Sequence, residues 1–158
     1  MDLKQRIYLL ERDETILTME GASEARYLDG LAVLLEFPHH AIGAAYLFGY
    51  VAEMLLKAAI GRVLNLNPAA PLRGQLGVGG PDLHDLGVLF RRVVTIRATS
   101  GNGIAGAMEL AFLQRIDAIA INWSVDFRYK STGVPEGEVV TMHEYVDWLR
   151  RHREYLWR

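Results

Sequence analysis

Glu53 and Lys57 stand four residues apart inside AAYLFGYVAEMLLKAAI, the segment from Ala44 to Ile60, which otherwise holds no charge. On a helix that spacing places the two side chains one turn apart with the acid first, the favourable order for an ion pair. In so apolar a setting the pair is expected to be partly buried, and a buried charge must find a partner. His84 and Arg128 are the candidates to complete the group, bringing a carboxylate, an imidazole and a guanidinium together. Such a set either forms a structural knot or serves a nucleotide- or RNA-directed hydrolase, with Glu53, His84 and Arg128 as its working groups.

Two other constellations carry chemistry of their own. His39 or His40, the adjacent His84 and Asp85, and a later acid, Asp117 or Asp126, offer imidazole and carboxylate ligands in the order of an HD-type metal phosphohydrolase. The same residues have plainer uses: an acid near a helix start suits the helix dipole, and His39 and His40 are polar residues at a helix start. Gly101, Gly103 and Gly106 match the G-x-G-x-x-G spacing of a dinucleotide-binding turn, with Arg92 to Thr99 as the preceding strand and Asp126 as the ribose acid. Such a unit needs further parallel strands, whereas the flanking sequence has helical periods, so a glycine-rich turn between helices is the simpler expectation.

Arg150, Arg151, Arg153 and Arg158 crowd the end of the chain with only Glu154 close by in sequence. Arg150, Arg151 and Arg153 are therefore the candidate nucleic-acid contact, weak and salt-sensitive. The alternative is a solvated helix end, with Asp147 pairing Arg151 and Arg150 pairing Glu154 along the helix.

The elements that must position these groups read as helices. Tyr27, Leu28, Leu31, Leu34 and Leu35 recur at helical spacing on a segment that stops before Pro38. A second helix starts near Pro38 and runs to about Leu64, apolar nearly all round and so covered on most sides. Gly43 and Gly49 within it predict the close approach of another helix. Residues 65–81 form a long loop. Asp82 is expected to cap a third helix carrying Leu83, Leu86, Phe90 and Val93, and a fourth runs from about Ile104 to Asn122. After a loop at Gly133 to Gly137, Thr141 and Glu144 have capping-box spacing and Val140 with Tyr145 the spacing of a staple. The final helix presents Met142, Tyr145, Val146, Leu149 and Leu156 on one face. The result is one all-α domain over residues 1–158, an up-and-down bundle of about five helices.

Composition narrows the function. Half the residues, 51%, are hydrophobic, enough for a core in a chain of one-domain length. A net charge of −2 argues against broad attraction to polyanions. Cysteine is absent, which excludes a disulfide framework, a thiol nucleophile and a Cys-based zinc site. The opening MDLKQRIYLLERDETI has no signal-peptide pattern, and Glu53 and Lys57 interrupt the most apolar stretch, so a cytoplasmic protein with no membrane span is expected.

Three segments in order resemble the HEPN domain family of small helical domains. The second helix matches its pattern at Ala45, Tyr46, Gly49, Tyr50, Glu53, Leu56, Lys57 and Ala58; His84, Asp85 and Leu86 match its His-Asp-Leu helix opening; Trp123, Arg128 and Tyr129 match its Trp followed by Arg-Tyr. The likeness spans about residues 25 to 156 and implies a HEPN-like bundle. It makes Glu53, Lys57, His84, Asp85, Arg128 and Tyr129 the candidate polar site. Trp123 and Tyr129 are expected to line core or groove rather than to stack on bases. HEPN ribonucleases use an Arg, four to six intervening residues, then a His, a spacing found nowhere in this chain. The resemblance thus implies a noncatalytic binding module with no catalytic residue, metal or cofactor, set in a prokaryotic two-component, toxin-antitoxin-like or RNA-associated system. Its implied partners are a second copy, a nucleotidyltransferase-fold protein, and weakly bound RNA or nucleotide. Trp148 and Trp157 supply apolar surface for the homodimer.

Overall fold

The computed structural model describes residues 14–72, 74–123 and 134–158. Among these residues the chain forms five α-helices and no strand. They are α1 (Ile16–Glu36), α2 (Ala41–Val63), α3 (Leu86–Thr99), α4 (Gly106–Ile121) and α5 (Glu136–His152), with 3-10 turns at Pro38–His40, Gly80–His84 and Arg153–Leu156. The all-α bundle expected from the sequence is the fold.

The bundle is organised around α2, which packs against α1 most extensively and also against α3 and α5. Its residues from Val51 to Gly61 are buried without a break, because an all-round apolar helix has no face to offer water. By length and composition Pro38–Val63 would suffice to cross a membrane, yet 72% of its most apolar window is buried inside the bundle. The link between α1 and α2 is only Phe37 and the Pro38–His40 turn, which forces the two helices into an antiparallel hairpin.

Close packing in that hairpin depends on glycine. A Cβ at Gly30 would meet the Phe48 ring, and one at Gly61 would meet Ile16 and Leu72. Leu72 and Leu76, from the long loop, are buried in the core, and the Leu72 amide donates to the Glu14 carbonyl at 2.7 Å. The loop is therefore pinned by two leucines that its lack of periodicity concealed.

Several local expectations are corrected. The buried face of α1 carries Ile16, Met19, Ser23, Tyr27, Gly30 and Leu34, while Leu28 and Leu35 are 61% and 72% exposed. The small residues Ser23 and Gly30 let α2 approach on their side, so that face wins over the bulkier one. Asp85 rather than Asp82 caps α3, its carboxylate accepting the Val88 amide at 2.8 Å, because a 3-10 turn led by Pro81 holds Asp82 outside the helix. The segment Arg92 to Thr99 is helical, and Gly101, at φ +73°, turns the chain between α3 and α4. The dinucleotide-binding reading therefore has no strand to stand on, and Asp126 lies outside the described residues. The last helix starts at Glu136, behind Pro135 and with Glu136 and Glu138 in its first turn, where acids suit the dipole. Thr141 is thus mid-helix, bonded back to the Gly137 carbonyl at 3.0 Å, and caps nothing. A reciprocal capping box does exist, at Thr15 and Thr18 of α1.

A knot on the central helix and a charged lattice beside it

Glu53 and Lys57 meet as their spacing requires, with Lys57 Nζ 2.7 Å from Glu53 Oε1 and both side chains at most 3% exposed. His84, at the end of its 3-10 turn, brings Nδ1 to 3.1 Å from both Glu53 oxygens. Facing a group that only accepts, Nδ1 carries the hydrogen. Glu14, ahead of α1, adds a second acid 4.0 Å from Lys57. Of the six candidate polar residues, three converge here. Asp85 points its carboxylate into the α3 cap instead. Arg128 and Tyr129 lie outside the described residues.

Trp123 joins the same helix a turn away. It is 4% exposed, its Nε1 donates to the Tyr46 carbonyl at 3.1 Å, and its ring fills the notch that Gly49 leaves open. The close approach expected at Gly49 is thus made by an indole rather than by a helix backbone. Gly43 is only in ordinary contact with Val33. Among the described residues no three His, Asp or Glu side chains converge as metal ligands, so His39, His40, His84, Asp85 and Asp117 do not form the metal centre that their order suggested.

A second polar assembly joins α1 to α5. Tyr27 Oη lies 2.8 Å from His143 Nε2 and donates to Asp147 Oδ1 at 3.1 Å. Arg150 stacks on the Tyr27 ring at 3.7 Å, donates to Asp147 Oδ1 at 3.0 Å and pairs with Glu24. Arg153 reaches the other Glu24 oxygen at 2.7 Å, and Arg151 reaches Asp147 at 2.6 Å. The shortage of acids expected around the terminal arginines is corrected: Glu24 arrives from α1, a helix remote in sequence. Arg150 pairs with Glu24 and Asp147 rather than Glu154, whose partner is Arg158 at 2.8 Å. The assembly borders an open cleft of about 530 Å³ lined by Glu24, Asp147, Arg150, Arg151, Arg153 and Glu154.

The electrostatics follow from these contacts. The hydrogen bond from Arg150 holds the Glu24 carboxyl below its ordinary value, with Arg153 adding to the effect against partial burial. Burial first, then the Asp147 charge, raises the Tyr27 phenol. A depressed carboxyl stabilises the fold above its unfolded pKa and loses that contribution as pH falls through the folded one. Wild type should therefore exceed Glu24→Gln in melting temperature at neutral pH, the gap closing below about pH 4.5, the ordinary value for the group. Parallel melting curves across that range would show Glu24 to be energetically silent.

Arg97 was not singled out by the sequence, although it follows Phe90 by seven residues and Val93 by four and so falls on their buried stripe. It is 4% exposed and donates from Nε to the Asn102 carbonyl at 2.7 Å and from Nη1 and Nη2 to the carbonyls of Tyr155 and Arg158. Burial lowers its pKa from the ordinary value. Its role is to tie the C-terminal turn to the corner between α3 and α4. Trp148 and Trp157 are partly buried, Trp148 edge-on to Phe112 at 5.0 Å and under Arg115, and Trp157 beneath Arg62.

Set beside known proteins, the chain finds no counterpart: no family model matches it, and neither a curated protein nor a solved structure is recovered as similar.

Proposed function

We propose that the chain is a noncatalytic, HEPN-like interaction module of a prokaryotic two-component, toxin-antitoxin-like or RNA-associated system, partnering a nucleotidyltransferase-fold protein. One observation carries the reading. The Glu53 carboxylate is 2% exposed and held by Lys57 on one side and His84 on the other, so it presents almost no surface to a substrate. Residues that carry the family resemblance also touch one another, His84 on Glu53 and Trp123 on Gly49 and Tyr46, as parts of one α2-centred core would. Homodimerisation belongs to the same reading. Its surface is the outer stripe of α1, where Leu17, Leu28 and Leu35 recur at intervals of eleven and seven residues and are 56%, 61% and 72% exposed.

Co-expression of the tagged chain with the genes flanking its own, followed by native mass spectrometry, should give the mass of a dimer bound to a nucleotidyltransferase-fold protein. A monomer without a protein partner overturns the module. Turnover of RNA or nucleotide that disappears in Glu53→Gln replaces it with the hydrolase.

A further inference from the structure

Two guanidiniums close on one carboxylate at the lip of the α1–α5 cleft. Arg150 takes Glu24 Oε2 and Arg153 takes Oε1, so the two oxygens are gripped from separate donors. The arginines differ in how firmly they are held. Arg150 is 18% exposed and is fixed independently of Glu24, by Asp147 Oδ1 and by the face of Tyr27. Glu24 is 40% exposed and comes from another helix, so it can turn into solvent while Arg150 stays in place. With Glu24 turned away, the cleft keeps Arg150, Arg151 and Arg153 against Asp147 and Glu154.

Guanidinium forks fit phosphate as they fit carboxylate. A phosphoryl group bearing about two charges and three terminal oxygens offers such a seat more charge and more acceptors than a single carboxylate. A phosphodiester, with one charge, has no such advantage. The cleft volume of about 530 Å³ lies within the ordinary range for small-molecule sites.

We propose that Arg150 and Arg153 form a clamp for a terminal phosphoryl group, a phosphate monoester or pyrophosphate, and that Glu24 is its built-in competitor. The proposal goes beyond the function above and gives a chemistry to the arginines that the sequence marks as the candidate nucleic-acid contact: Glu24 makes the clamp select dianionic phosphate ends over internal phosphodiesters. The depressed Glu24 carboxyl agrees, since the clamp already stabilises an anion there.

Calorimetry at fixed ionic strength tests this with pyrophosphate, adenosine 5′-monophosphate and a phosphodiester dinucleotide lacking terminal phosphate. Wild type should bind the first two measurably more tightly than the third. Glu24→Gln should tighten both by about tenfold, the effect of removing one charged competitor. Adding Arg153→Gln, at a 41% exposed position where only the Glu24 contact is lost, should abolish the gain. Equal affinity for pyrophosphate and the nucleotide supports recognition of the phosphoryl group alone, and tighter nucleotide binding supports it with a nucleoside contact added. Equal binding by wild type and Glu24→Gln, retention of the gain with Arg153→Gln added, or binding by neither protein overturns the clamp. Because the probes are phosphates, failure to capture a protein partner leaves this result unaffected.

Discussion

Glu53→Ala should lower the free energy of unfolding by about 3 to 5 kcal/mol, the usual consequence of stranding one member of a buried ion pair. Lys57 is 3% exposed and has no path to water along its own helix, which is buried on every side from Val51 to Gly61. Its remaining acid, Glu14, is 4.0 Å away and 42% exposed, too distant and too well solvated to replace a 2.7 Å contact. His84 would lose its acceptor as well, although at 40% exposure water can take over that role. Measured against a typical domain stability of about 5 to 15 kcal/mol, the loss is large. Urea unfolding decides it, and a second variant separates charge from packing. Replacing the pair together, Glu53→Leu with Lys57→Met, removes both charges and fills similar volume, and should return stability to wild-type level or above. If Glu53→Ala unfolds with the same midpoint and slope as wild type, the knot contributes nothing and the buried-site argument for a noncatalytic module loses its main support.

What the sequence made legible was local. The Glu53–Lys57 pair is an i,i+4 relation on an evident helix, and His84 was reachable because a buried acid with few possible partners restricts the choice. The fourth helix was read to within two residues at its start and one at its end. The parts that escaped depend on long-range packing. Nothing in the spacing of Glu24 and Tyr27 tells which helix they face, yet they meet Arg150, Arg153, His143 and Asp147 more than a hundred residues away. A sign was present in retrospect: His143, Asp147 and Arg150 fall at i, i+4 and i+7 on one face of α5, a polar stripe beside the apolar one. The choice between Leu28 and Leu34 as the buried face of α1 likewise turned on Gly30 accepting Phe48, a fact about a neighbour rather than about α1. A polar residue on a buried stripe, as Arg97 is, has no apolar signal for periodicity to count, yet here it is a fastening.

Gly49→Ala should destabilise the protein by about 2 to 4 kcal/mol, and the sign alone is diagnostic. Gly49 lies inside α2, where replacing glycine with alanine ordinarily gains about 1 kcal/mol of helix propensity. If the residue were no more than a weak helix former, the variant would be more stable than wild type. The structure requires the opposite, because a methyl group there falls within the indole of Trp123, on Cγ, Cδ1 and Cδ2. The backbone of α2 cannot retreat, being packed on several sides, so the ring must leave. Its departure exposes a side chain now 4% accessible and breaks the Nε1 bond to the Tyr46 carbonyl. Loss of a buried Trp costs about 3 to 5 kcal/mol, partly offset by the helix propensity gained. A double-mutant cycle isolates the contact. In a Trp123→Ala background the clash is gone, and Gly49→Ala should then stabilise by about 1 kcal/mol. Equal effects of Gly49→Ala in both backgrounds would mean that Trp123 does not occupy the notch. The α2-centred meeting of the Tyr46–Lys57 segment with Trp123, one of the contacts on which the family reading rests, would then be lost.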